Sequence, residues 1–195
     1  MPTDWRNLEA LPARQWTCGY CGNQVAGHQG YQVPNQNHYA YPCPYCGRVT
    51  DFDGGLQTPG PVFGQPVEHV PSELGVLYDE ARRCMSVSGY TSVVLACRKI
   101  LMHIAVVEGA APNKPFAAYV KFLSEGGYLP PKSKDWVDHI RSKGNEANHE
   151  IRLMDRTEAQ ELLAFIEMLL EFLYEFPAKS GANSAPGAAS EPPRA

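Results

Sequence analysis

The chain has 195 residues, 44% of them hydrophobic, and a formal net charge of -4; that is enough apolar material for a core and too little positive charge for wholesale coating of nucleic acid, so any nucleic-acid role has to rest on a local site. Its 17 prolines and 17 glycines gather outside the leucine-rich stretch, which predicts two ordered pieces and a tail in place of one uniform domain. The opening Met1-Pro2-Thr3-Asp4-Trp5 lacks a basic segment leading into an apolar run, and no unbroken stretch reaches the roughly 18 apolar residues of a membrane span, so a cytoplasmic protein with no membrane partner is expected.

Residues 1 to 52 are rich in aromatic and turn residues and poor in Leu, Ile and Val, too poor for a conventional core. Cys18-Gly-Tyr-Cys21 and Cys43-Pro-Tyr-Cys46 sit in this segment with 21 residues between them. Each pair offers two sulfurs about one ion's width apart, and four soft donors complete the tetrahedral shell of a structural Zn2+ with no open position for catalysis. In a reducing compartment such pairs are metal ligands and not disulfides. A small β zinc ribbon is therefore predicted over 1 to 52, the metal supplying folding energy that apolar burial cannot. His28 and His38 lie between the knuckles and are alternative ligands in principle, but four thiols already fill the shell. Tyr20, Tyr31, Tyr39 and Tyr41 have two readings: exposed rings that stack on bases, or the ribbon's own miniature core.

From Asp53 to Pro71 repeated Pro and Gly predict an extended connector, and the domain boundary is placed over 53 to 71. The period then becomes helical. Leu74, Leu77, Tyr78, Ala81 and Met85 mark a first helix with Ser72 as N-cap, and Thr91 to Val107 is apolar around most of its circumference, the mark of a bundle's most buried helix. Pro115 opens a third, short helix that Gly126-Gly127 stops, Trp136, Val137 and Ile140 begin a fourth, and Thr157-Glu158-Ala159-Gln160 is a capping box for a long last helix running past Leu173. Cys84 and Cys97 fall among apolar residues, where a free cysteine is a small hydrophobe. The helical domain is placed at 72 to 177 and a disordered tail at 178 to 195.

Within the fourth stretch Arg141, Asn145 and His149 recur at intervals of four, so on a continuous helix they share a face. A fixed cation, an amide and an imidazole so aligned have the elements to grip a phosphate and move a proton. Binding or dimerisation without catalysis is a second role for them, and a third is structural, with Arg141 pairing with an acid such as Asp138. Leu77-Tyr78-Asp79-Glu80, Arg98-Lys99-Ile-Leu, Ile140-Arg141-x-x-Gly144-Asn145-x-x-x-His149 and the closing leucine-rich helix resemble the domain of unknown function 4145, one of the HEPN-like helical bundles. The resemblance covers roughly residues 72 to 176. It implies a mainly α fold of four to five helices behind the small β ribbon, a homodimer, and an RNA-directed role of the kind found in restriction or anti-phage systems. It also implies a metal-independent ribonuclease site in which Arg141 stabilises charge, His149 handles the proton and Asn145 orients, although seven residues separate Arg141 from His149, a longer interval than the ribonucleolytic pattern has. The alternative is an adaptor that docks to a larger protein partner. A zinc hydrolase is disfavoured because no open-shell ligand set such as H-E-x-x-H is present.

Overall fold

The first third of the chain, rich in aromatic and turn residues, forms short strands. The computed structural model, which describes residues 5–129 and 153–181, has five strands there: β1 (Glu9–Thr17), β2 (Gln24–Gln32), β3 (His38–Pro42), β4 (Val49–Asp53) and β5 (Leu56–Thr58). They pair antiparallel in chain order as a single meander. β1 is an edge strand whose register shifts between Ala10 and Arg14, around Pro12, a residue with no N–H to give a ladder.

The fold is not the mainly α one that the sequence predicts. The five-stranded sheet stands beside four helices of ten or more residues among those described, an α+β composition. The sheet also runs beyond residue 52 into the stretch expected to be a connector, because the Gly54-Gly55 pair turns β4 back on itself and lets Leu56, Gln57 and Thr58 pair with it.

The helices are α1 (Ser72–Ser86), α2 (Tyr90–Val107), α3 (Phe116–Glu125) and α4 (Arg156–Leu170). α4 continues through a π-helical turn, Glu171–Glu175, into a last short turn, Phe176–Lys179. α2 lies at the centre against α1, α3 and α4, burying Val93, Val94, Cys97, Ile100, Leu101, Ile104 and Ala105. It is long and apolar enough to match a membrane span in length and composition, an apolar content that its contacts with three helices account for. Two termini differ from expectation. Pro71, not Ser72, occupies the N-cap of α1, and no side chain caps it. The capping box of α4 is Asp155 with Glu158: the Glu158 N–H donates to Asp155 Oδ1 at 2.9 Å and the Asp155 N–H to Glu158 Oε2 at 3.1 Å, two residues ahead of the Thr157 start, since a carboxylate accepts from a helix N-terminus at least as well as a hydroxyl.

The Pro/Gly-rich stretch after β5 is strapped down along its length. The Gly60 N–H donates to the Ser86 carbonyl at 2.7 Å, at the end of α1. Arg82, buried on α1, donates from Nε to the Phe63 carbonyl at 3.1 Å and from Nη2 to the Gly64 carbonyl at 2.8 Å, while Nη1 pairs with Asp79 at 2.9 Å. The Tyr78 hydroxyl donates to the Gln65 carbonyl at 3.0 Å; burial and the nearby Glu167 carboxylate push its pKa well above the ordinary value, so it stays a donor. From the other side Glu167 accepts from the Gln65 N–H at 2.9 Å and Glu175 from the Glu68 N–H at 2.8 Å. Lys179 beside Glu175, together with that N–H, holds the Glu175 carboxyl below its usual range, keeping it an acceptor. Backbone groups that would otherwise be solvated are thus paired with side chains from two helices. Replacing Arg82 with Ala should lower stability by about 2–3 kcal/mol, because two carbonyls lose a charged donor. The checks are urea denaturation and faster proteolytic cutting between residues 60 and 70; wild-type cutting rates in the variant would refute the strap.

Candidate metal centre

The two knuckles are built alike. The Cys18 N–H donates to the Asn23 carbonyl at 2.9 Å and the Gly22 N–H to the Cys18 carbonyl at 2.9 Å; in the second, Cys43 N–H donates to Arg48 at 2.8 Å and Gly47 N–H to Cys43 at 2.8 Å. The residue after each closing cysteine turns left-handed, with φ of 72° at Gly22 and 73° at Gly47, a conformation glycine adopts at no steric cost. One knuckle follows β1 and the other follows β3, so the meander brings together pairs that are far apart in sequence.

The result is one cluster of Cys18, Cys21, Cys43 and Cys46 with all four sulfurs within 4.8 Å of one another. Across the knuckles, Cys18 Sγ to Cys46 Sγ and Cys21 Sγ to Cys43 Sγ are both 3.8 Å. A tetrahedral zinc with Zn–S bonds of about 2.3 Å has S···S edges of about 3.8 Å, whereas a disulfide needs about 2.05 Å. The donor set therefore fits a tetrahedral metal, and all four cysteines are unbridged. Burial pushes the Cys18 thiol up, and burial with hydrogen bonds to the other thiols pushes Cys46 up to about 12. Burial also opposes ionisation of Cys21, but hydrogen bonds from the Asn23 backbone and side chain and from Cys18 outweigh it and bring that thiol to about 7. Sulfurs so close cannot all ionise unless a cation joins them.

The cluster sits at one end of a small aromatic core. Trp16, Tyr41 and Phe52 pack with ring centroids 5.6 to 5.9 Å apart, beside Leu11 and the buried Cys18 and Cys43. Tyr41 is thus core and donates to the Pro12 carbonyl at 2.9 Å. Tyr39 packs half-buried on that core, and Tyr31 donates to the Arg6 carbonyl at 2.7 Å. Tyr20 is different, 47% exposed at the tip of the first knuckle with the Arg48 guanidinium 5.1 Å over its ring. His28 is exposed and His38 pairs with Asp51 at 2.7 Å across β3 and β4, so neither belongs to the thiol cluster. Cys84 and Cys97 lie on α1 and α2 away from it, and burial raises the Cys97 thiol far above its ordinary value.

Arg141, Asn145 and His149 lie outside the described residues. Two residues were missed by reading the sequence. Tyr45, the tip of the second knuckle, is 75% exposed, and Trp5 is 36% exposed with its indole N–H donated to the Gly47 carbonyl at 2.7 Å. The repeated Tyr inside both Cys-x-x-Cys pairs was the available signal for Tyr45; nothing local marked Trp5, whose partner is 42 residues away.

Residues 79–185, more than half of the chain, match the family described as Domain of unknown function (DUF4145). No curated protein and no solved structure matches the chain.

Freshly purified protein should contain one zinc per chain by elemental analysis. Cys43→Ser should lose it and unfold the sheet while leaving the helical signal in circular dichroism, since structural zinc contributes about 10–16 kcal/mol in comparable small folds. Uptake by metal-free protein at neutral pH should release protons, and affinity should fall as pH falls because protons then compete for the sulfurs. Protein that is folded over residues 9–58 with no bound metal would sink the assignment.

Proposed function

The chain belongs to the Domain of unknown function (DUF4145) family, and because that description assigns no activity, we propose from the site itself that the protein is an RNA-associated module whose ribbon is folded by one structural Zn2+. Zinc is the metal of choice because four thiolates in a closed tetrahedral shell suit a soft, redox-inert ion and leave no position for substrate. The ribbon then acts as a rigid support and not as a Lewis acid.

The exposure of Tyr20 and Tyr45 carries the reading. A fold this short of aliphatic residues has every reason to bury its rings, as it does with Trp16, Tyr41 and Phe52, yet it leaves one ring at the tip of each knuckle in solvent. Exposed rings with an arginine against one of them suit stacking on bases. Arg141, Asn145 and His149 are the proposed cutting residues: the ribose 2′-hydroxyl attacks the phosphate and the 5′-oxygen leaves, with Arg141 stabilising the developing charge, His149 handling the proton and Asn145 orienting.

A protein-docking adaptor is the second reading, favoured by a cleft of about 760 Å3 between the first knuckle and α1. Val62, Val76 and Val87 line it beside Glu80 and Arg83, a mixture of apolar surface and both charge signs that suits a peptide segment.

The test uses the zinc-loaded full chain with structured and single-stranded RNAs and no added metal. Arg141→Ala and His149→Ala should each lower cleavage by orders of magnitude with zinc content and helicity unchanged, and products should end in a cyclic phosphate. Wild-type protein that binds RNA but leaves it intact removes the cutting step and keeps the module; wild-type protein that binds no RNA removes both in favour of the adaptor.

A further inference from the structure

The second knuckle forms one wall of a slot of about 300 Å3 on the ribbon, and Trp5, Leu8, His28, Pro42 and Tyr45 are among the residues that line it. Resting on the RNA reading above, we infer that this slot is where an unpaired base of a single-stranded nucleic acid stacks, against the faces of Trp5 and Tyr45.

Three observations select that occupant. The Trp5 ring is held in place before any ligand arrives: its N–H is bonded to the Gly47 carbonyl at 2.7 Å and its edge meets Tyr31 at 6.3 Å, centroid to centroid. Little side-chain entropy is then lost on binding. That same bond removes the indole N–H as a donor. A proline-rich peptide in an aromatic groove needs such donors for its carbonyls, whereas a base needs only the π face that remains.

Charge decides between single strand and duplex. Neither an acidic residue nor a lysine or arginine is among the residues that line the slot, so phosphates draw little attraction from its walls. Over residues 5–58 the ribbon is balanced, with Arg6, Arg14 and Arg48 against Glu9, Asp51 and Asp53, and zinc with four thiolates would add further negative charge. Backbone attraction is too weak to hold a duplex, whose bases are stacked on one another and offer the slot no face. Stacking has to supply the affinity, and it requires an unpaired base.

Binding of a short labelled single-stranded RNA and of a blunt-ended RNA duplex to the zinc-loaded full chain, followed by fluorescence anisotropy, tests the inference. The single strand should bind at least about tenfold tighter than the duplex, and between about 50 and 200 mM salt the slope of log K against log[salt] should be no steeper than about -1.5, at about 0.7 per phosphate. Trp5→Ala and Tyr45→Ala should each weaken binding about tenfold or more, Tyr45→Phe should retain it, and Tyr45→Leu should not, since it keeps apolar bulk and loses the ring. Zinc content of each variant reports an intact ribbon; if Trp5→Ala loses zinc, the Tyr45 series decides alone. RNA binding unchanged in the Tyr45 variants places the RNA elsewhere and overturns the slot while leaving the module. A steep salt slope, or a proline-rich peptide that displaces the RNA from the slot, overturns it as well. No RNA binding by wild-type protein overturns both readings at once.

Discussion

Four sulfurs drawn to within 4.8 Å of one another are the constraint on which the first third of the molecule depends. Two buried and two half-buried thiols beside a core of one leucine and three rings give too little apolar contact to hold five short strands in register. A cation at the centre of the tetrahedron would change the balance, because it would join the end of β1 to the end of β3 and make the thiolate form favourable where burial opposes it. The paired hydrogen bonds of the two knuckles, and the left-handed turn after each, aim the sulfurs at that common point.

The consequences reach the helices. A Cβ on Gly19, inside the first knuckle, would lie 2.3 Å from the Gly60 carbonyl and 2.6 Å from that of Pro59, so the knuckle rests directly on the chain leaving β5. Gly60 is in turn bonded to Ser86 at the end of α1, and Gln57 donates to both Thr17 and Pro59. From there Arg82, Tyr78, Glu167 and Glu175 hold the strap to α1 and to the end of α4. A Pro/Gly-rich sequence can be ordered without forming a ladder or a helix when side chains from elsewhere satisfy its backbone, and this one is.

A metal at the thiol cluster would also account for which rings are exposed. A ribbon without one would need every aromatic side chain inside; with the thiol cluster closing one end of the core, Trp16, Tyr41 and Phe52 suffice and Tyr20, Tyr45 and Trp5 remain on the surface. Trp5 shows that this exposure is organised, since its N–H is committed to Gly47 beside the second knuckle. The proposed RNA contact thus follows from the economy of the metal site and not from net charge, which is slightly negative.

Much of this was legible in the residue order alone. The Cys-x-x-Cys spacings identified all four sulfurs of the cluster, the 3.6 period located α1, α2, α3 and α4, and the composite of motifs in the helical stretch pointed to the family that residues 79–185 match. These are properties of neighbours a few residues apart, for which spacing along the chain is spacing in space. Three features were decided only by tertiary structure. The weight of β structure was missed because strands of three to nine residues carry little periodic signal and β5 exists only by pairing with β4. The strap reads in sequence only as an extended connector because its partners, Arg82, Glu167 and Glu175, lie up to 107 residues away. And whether a tyrosine is core or contact surface depends on what packs over it, so Tyr41, in β3 beside Trp16 and Phe52, is buried while Tyr20, at the tip of the first knuckle, is exposed: burial is set by which distant segments arrive, and no local pattern contains that information.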